Sequence, residues 1–286
     1  MATTTITTTI VAEDVEIPRG SVEANLEFYQ PPADGSSPFN YVEEPPEGQP
    51  QRNYSDDRHQ VLIEDIRGRE SEFNLDRNAF QALKHVSTAS NYSTFDSEAA
   101  IKEVYYPEVE QLLLKNVPGA HKVIIFDHTI RKDHPNAHRQ PVNRVHIDQT
   151  NEAAIQRVKL HAANESEANE LLQGRYRIIN VWRPLNGAVE SSPLAFASAA
   201  SVEEKNLVAI QHRYPYRTGE IVGIHYSAKQ KWYYWSGQTN DESMLLKCSD
   251  SADLGGRVPH SAFANPQTKH GAKPRESIEV RALVFG

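Results

Sequence analysis

The sequence predicts an α+β fold built on a large antiparallel sandwich or barrel. Regular segments read as mainly helical up to Gly119 and mostly strand-like after it, an order that suits segregated helices and sheets better than alternating βαβ units. Seven short runs beyond Lys122 are rich in β-branched and aromatic residues and are separated by Gly, Pro, Asn or Ser. The length of 286 residues allows roughly two domains at most, or one large β domain with elaborations, and no internal repeat is visible.

The elements follow in chain order. Residues 1–13 form a Thr-rich tail, flexible or an edge strand, with six threonines in the first ten positions and no basic or long apolar stretch of a secretory signal. Residues 14–60 read as an extended arm. Six of the 17 prolines fall between Pro31 and Pro50, where missing amides and fixed φ exclude a helix or central strand. Phe28, Tyr29, Phe39, Tyr41 and Tyr54 are too many aromatics for a disordered linker, so the arm is expected to lie across the domain surface, pinned by its rings. Residues 61–73 suggest a strand and turn. Helices are expected over Leu75–Lys84 and over Ser97–Leu114, the second broken by Pro107, with Asp76 and Ser97 as N-caps or first-turn acids.

Strands are then expected at 122–130, 144–150, 176–185, 220–227, 231–236, 243–249 and 277–285. One helix interrupts them at Glu152–Leu172, where Ala154, Val158 and Ala162 share a face. The whole is expected to be a single domain over 14–286: the arm, a helical part over 61–120 and a β core over 121–286.

Composition narrows the function. A net charge of −8 argues against nucleic acid as partner, and the longest apolar runs fall far short of the roughly 20 residues of a membrane span. The one cysteine, Cys248, excludes an internal disulfide framework and a Cys-rich zinc site and reads as a small core residue; a cytoplasmic location is expected. Dinucleotide and P-loop glycine motifs, HExxH and GxSxG are absent, which leaves metal chemistry on a β scaffold as the main catalytic option.

Arg144-Val-His-Ile-Asp-Gln-Thr150 places His146 and Asp148 two apart on an expected strand, hence on one face, with Val145 and Ile147 turned into the core. It is the only H-x-[DE] among the 12 histidines. A second His from a distant strand would complete a 2-His-1-carboxylate facial triad, typical of non-haem iron(II) oxygenases. His260 is favoured over His212 and His225 because Pro274-Arg275-Glu276-Ser277 follows it. A guanidinium with a hydroxyl two residues on can clamp the distal carboxylate of a dicarboxylic cosubstrate. Arg281, on the same strand face, is the alternative clamp.

With these residues in place, RVHIDQT, NVWRPLNG (180–187), MLLKCSDS (244–251), RVPHSAF (257–263) and PRESIEVRALVF (274–285) resemble the iron(II)/2-oxoglutarate-dependent oxygenases related to gibberellin desaturase, cephamycin 7-hydroxylase and AsaB, a group that includes the novofumigatonin endoperoxidase. The resemblance extends upstream through residues 25–54 and VYYPEVEQLL, covering nearly the whole chain. It implies a double-stranded β-helix, or jelly roll, flanked by helices, with His146, Asp148 and His260 as iron ligands. It also implies Arg275 on the C5 carboxylate of 2-oxoglutarate with Ser277 beside it. The gap of 15 from His260 to Arg275 is long for related oxygenases and keeps Arg281 open.

The implied cofactors are iron(II), 2-oxoglutarate and O2. The implied reaction oxidises an unactivated C–H bond of a secondary metabolite, such as a terpenoid, by hydroxylation, desaturation, ring formation or endoperoxide formation. Expected partners are a hydrophobic small-molecule substrate and no membrane or nucleic acid; a homodimer is compatible with the sequence.

Trp182 and Arg183 read either as cosubstrate neighbours or as core, and Trp232–Trp235 reads as core packing. Tyr41 on the arm and the 133–140 loop, with His134, His138 and Arg139, are expected at the substrate rim, Tyr41, His138 and Trp182 touching substrate. Two competing readings remain: a metal-dependent isomerase or hydrolase on the same scaffold, which needs no carboxylate clamp, and a non-catalytic jelly-roll binding module.

Overall fold

The computed structural model describes residues 16–254 and 256–286; the expected Thr-rich tail over 1–13 lies outside the described residues. The arm supplies β1 (Val22–Gln30), β2 (Phe39–Tyr41) and β3 (Ser55–Asp65). The helical part supplies α1 (Leu75–Asn78), β4 (Phe80–Leu83), α2 (Glu98–Ala100) and α3 (Tyr106–Asn116). The remainder runs β5 (Lys122–Lys132), β6 (His146–Ile147), α4 (Asn151–His161), α5 (Glu165–Gln173), β7 (Tyr176–Pro184), β8 (Leu194–Ala197), β9 (Leu207–Arg213), β10 (Thr218–Ile224), β11 (Trp232–Tyr234), β12 (Ser243–Asp250), β13 (His260–Ala262) and β14 (Glu276–Phe285).

Two sheets form. The larger has the order β1-β3-β11-β8-β13-β6-β10-β9-β2 and the smaller β4-β12-β7-β14-β5. They make the jelly roll. Ile178, Cys248 and Leu283 of the small sheet pack in one cluster with Val22, Ile63, Ile147 and Trp232 of the large one. The outer face of the small sheet is covered by helix. Val109 and Leu113 of α3 bury against Val280, Ala282 and Val284 of β14, each large side chain contributing roughly 1.5–3 kcal/mol. Strand alternation on β14 therefore sends Ile278 and Val280 to the helices and leaves Glu279 and Arg281 for the barrel interior.

Several local expectations are corrected. Residues 14–60 are more regular than expected, since β1 pairs with β3 over nine positions from Val22↔Ile63 to Gln30↔Ser55. The Pro31–Pro50 stretch itself holds only β2, on the opposite edge of the sheet. Phe28, Tyr29 and Tyr54 are buried, so the arm is pinned by rings. Leu75–Lys84 is not one helix. Asn74, not Asp76, caps a single turn, and Ala79 at φ 63° ends it so that Phe80–Leu83 can pair with β12. Ser97 does cap its helix, which Pro107 does not break. The chain widens into a π-helical turn over Ile101–Tyr105 just before the proline, which lacks an amide to donate.

The expected 152–172 helix is two, with Asn164 capping the second. Of 144–150 only His146 and Ile147 are in a ladder; Thr150 instead accepts from the Ala153 amide as the cap of α4. Strands β8, β9 and β13 carry no sufficient local pattern and form because long-range partners complete their hydrogen bonds.

Candidate metal centre

The ligand cluster is assembled from two short strands, β6 and β13, and the residues just beyond β6. In β6, His146 lies directly opposite His260 of β13, and on its other side opposite Gly223 of β10. The antiparallel register brings the imidazole centroids to 4.5 Å. Asp148, two residues beyond His146, shares its face as alternation requires, while Val145 and Ile147 are fully buried in the core. Among the described residues these three form the only cluster of metal-ligating side chains, with candidate ligand atoms within 4.8 Å of one another.

Hydrogen bonds select the ligand atoms. Nδ1 of His146 lies 2.8 Å from the Arg144 carbonyl, and Nδ1 of His260 lies 3.2 Å from the Val258 carbonyl. A carbonyl only accepts, so each Nδ1 carries the proton and donates. Both Nε2 atoms are left as lone-pair donors aimed inward. His260 Nε2 is buried without a protein partner. Asp148 is divided the same way. Its Oδ2 accepts from Arg281 Nε and Asn180 Nδ2, both at 2.8 Å, while Oδ1 stands 3.2 Å from His146 Nε2 and 3.8 Å from His260 Nε2. Two neutral imidazole nitrogens and one carboxylate oxygen, converging with other positions open, fit a divalent metal of the non-haem iron type.

The charges support ligation. Burial pushes the Asp148 carboxyl up, but Arg281 opposes it, and the carboxyl is held well below its ordinary range. Burial and the neighbouring His146 hold His260 down to about 4, Asp148 opposing them, so the ring is neutral at pH 7.

The two arginines on β14 separate cleanly. Arg281 is committed: besides Asp148 it binds Asp127 at 2.8 Å and Glu279 at 2.9 Å. Arg275 is 2% exposed and donates from Nη1 to the Ser192 carbonyl at 2.5 Å; among the described residues it makes no ion pair and its Nε has no partner. Its guanidinium lies 5.4 Å from the Trp182 ring centroid, and burial, reinforced by Arg131, lowers it to about 10. Arg275, Trp182 and Arg131 line a narrow cleft that also touches His146 and His260. Ser277 is buried on the Arg275 side of β14.

Arg131 is a residue that sequence reasoning missed. It sits on β5 opposite Ser277, shares the cleft with Glu279 and makes no ion pair among the described residues, its side chain donating to the Gln140 carbonyl. The signal available was weak: the strand was expected to end at Ile130, and it runs on to Lys132, which carries Arg131 into the sheet. Asn180, in the quoted NVWRP motif, and Glu279 were likewise unassigned. Burial and Asp148 push Glu279 up, against Arg281.

Other expected residues are placed elsewhere. His212 is not in the ligand cluster but lines the large cavity beside it, hydrogen-bonded to Asn40 at 2.9 Å, and His225 packs on Tyr29. Arg183 points to the helices, over Phe95 and Tyr105. Trp232 and Tyr234 join one core cluster, Tyr233 and Trp235 another. Cys248 is fully buried, and burial followed by Asp148 pushes its thiol well up.

A second, larger cavity of about 1000 Å³ opens from His146 and Asp148 and is walled by α4, β5, β9 and β10. Arg139 and Val142 of the loop before β6 reach it. Tyr41 and His138 do not: Tyr41 lies between Asn40 and Val42, which do, and packs on Phe39 and Arg213, while His138 is exposed on the loop. Trp182 belongs to the narrow cleft under Arg275, away from this cavity.

Residues 26–285 match a family described as the oxidoreductase/YMDC permease-like domain. No helix among the described residues is long and apolar enough to cross a membrane. The chain is 35% identical to the hydroxylase/desaturase poxK of Penicillium oxalicum, covering 96% of this chain and 95% of that one. It is 36% identical to the alpha-ketoglutarate-dependent dioxygenase phiK of a fungal species (94% and 98% covered). It is 34% identical to the Fe(II)/2-oxoglutarate-dependent dioxygenase nvfI of Aspergillus novofumigatus (92% and 96%). The solved structure of the iron and alpha-ketoglutarate-dependent endoperoxidase NvfI superposes with a TM-score of 0.85 at 31% identity, covering 94% of this chain and 99% of that one.

Proposed function

The chain belongs to the iron(II)/2-oxoglutarate-dependent dioxygenases, and from that premise we propose that it oxidises an unactivated C–H bond of a small secondary metabolite at an iron(II) centre held by His146, Asp148 and His260. The observation that carries the proposal is the convergence of two unprotonated Nε2 atoms on the one Asp148 oxygen that Arg281 and Asn180 leave free. Bound iron(II) supplies the place where O2 is activated at the expense of 2-oxoglutarate, which leaves as succinate and CO2.

The protein's own residues do the rest. Arg275, with Ser277 beside it, is the proposed partner of the distal carboxylate, and Arg131 adds a second positive charge that makes no ion pair among the described residues. Arg275 and Arg131 make no ion pair among the described residues, and the one carboxylate in their cleft, Glu279, is already bound to Arg281, so the cleft suits a dianion such as 2-oxoglutarate. The Trp182 ring under Arg275 holds the guanidinium plane and keeps water from that end. The large cavity takes the substrate and orients it toward His146 and Asp148. Its walls mix Val142, Ile210 and Ile221 with many polar groups, so it suits a terpenoid-sized molecule that carries oxygen functions rather than a bare hydrocarbon.

Residues 14–286 acting as one domain, a cytoplasmic location and a homodimer are parts of the same proposal, the last checked by light scattering. The metal-dependent isomerase or hydrolase is the second reading; it leaves the unpaired Arg275 without a purpose.

Anaerobic addition of iron(II) and then 2-oxoglutarate to the purified protein tests the proposal. A visible charge-transfer band that appears only with both is expected. Iron binding without a band on adding 2-oxoglutarate would favour the second reading, and no iron binding would remove the ligand assignment.

A further inference from the structure

The large cavity carries more positive charge than the metal centre uses. Arg157, on the inward face of α4, and Arg217, at the tip of the β9–β10 hairpin, both line it. Arg144 and Arg281 in the same wall are neutralised by Asp56 and Asp148. Of the other arginines in the wall, Arg131 also faces the cleft of Arg275 and Arg139 is exposed on its loop. Half-buried Arg157 and exposed Arg217 likewise have no such partner among the described residues, and each lies over an aromatic ring, Arg157 at 4.8 Å from the Phe126 centroid and Arg217 at 3.9 Å from that of Tyr214. Stacking fixes the guanidinium planes and leaves their N–H edges for a ligand. Burial holds Arg157 below its ordinary value; Asp127 opposes the shift, but that carboxylate is already hydrogen-bonded to Arg281, and Arg217 adds to it.

We propose that Arg157 and Arg217 form an anion subsite in the wall of the large cavity, and that the substrate is a carboxylate-bearing molecule whose acid group they hold while another part of it reaches the metal centre. A singly charged carboxylate fits better than a phosphate dianion because Glu152 and Glu220 also line the cavity and limit the negative charge it tolerates. The subsite rests on the oxygenase reading only for calling its ligand a substrate.

Calorimetric titration of the metal-free protein with a series of fused-ring and aromatic carboxylic acids, each paired with its methyl ester, tests this. Acids are expected to bind at least about tenfold more tightly than their esters, the worth of a charge-assisted hydrogen bond. The Arg157→Gln, Arg217→Gln double variant is expected to lose that preference while ester affinity, melting temperature and iron(II) binding match the parent protein, which separates a lost subsite from a misfolded chain. The Arg157→Lys, Arg217→Lys pair should keep part of it. No acid-over-ester preference anywhere in the series, or a preference that survives in the glutamine variant, would overturn the subsite. Neither iron nor 2-oxoglutarate is in the titration, so its outcome is independent of the charge-transfer experiment.

Discussion

Arg281 donates from Nε to Oδ2 of Asp148 at 2.8 Å, and this bond decides two things at once. It turns the other Asp148 oxygen toward the histidines, and it occupies Arg281 with a carboxylate of the protein itself. The arginine six residues earlier, Arg275, is buried just before β14 and makes no ion pair among the described residues. One strand face thus carries a ligand-orienting arginine and a free one.

The two arginines should fail differently. Arg281→Met is expected to weaken iron(II) binding by about 10–100-fold, the usual cost of losing a group that orients a ligand. Arg275→Met should leave iron(II) affinity unchanged and raise the KM for 2-oxoglutarate. Equilibrium dialysis of iron and steady-state kinetics separate the two; equal iron affinities in both variants would contradict the assignment.

Arg131→Met is also expected to raise the KM for 2-oxoglutarate, because it removes the second positive charge of the cleft. His138→Ala and Tyr41→Ala should leave 2-oxoglutarate and substrate kinetics within error of the parent, since neither side chain lines the cavity. A large KM effect at His138 would mean that the loop closes over the substrate.

Acid should destabilise the metal-free protein well above the ordinary carboxylate range. His260 and His212, both lowered to about 4 chiefly by burial, take up no proton in the folded state until that pH, whereas the unfolded chain protonates them near 6.5. The unfolded state binds more protons between these values, so their contribution is complete above 6.5 and is lost as pH falls toward 4. For His260 alone the loss is roughly 3 kcal/mol. Urea unfolding of chelator-treated protein from pH 7 to pH 4.5 checks the slope; a flat profile would contradict the depressed values.

Leu113→Ala should lower stability without touching chemistry. The side chain is fully buried between α3 and the outer face of the small sheet, on the side away from the metal centre. The expected cost is about 2–5 kcal/mol, with iron(II) affinity of the folded protein unchanged. Reduced iron affinity at a temperature where the variant is fully folded would show that the helical layer is coupled to the site.

What the sequence determined by itself was local or carried by motif. Alternation in RVHIDQT put His146 and Asp148 on one face and Val145 and Ile147 in the core, because strand geometry makes every second residue equivalent. The β-rich second half, the aromatic core run at Trp232–Trp235 and the burial of Cys248 were legible for the same reason. Tertiary structure decided whatever depends on partners distant in the chain. Phe80–Leu83 became a strand because β12 offered it a ladder, against a helical pattern.

Arg275 and Arg281 occupy the same face of one strand, so no spacing rule separates them. They are separated by Asp148, Asp127 and Glu279, which satisfy Arg281 and leave Arg275 with none. The unmatched Arg131, Arg157 and Arg217 were invisible in the sequence for the same physical reason. Whether a charge is neutralised depends on what the fold brings within a few ångströms, and that is not written along the chain.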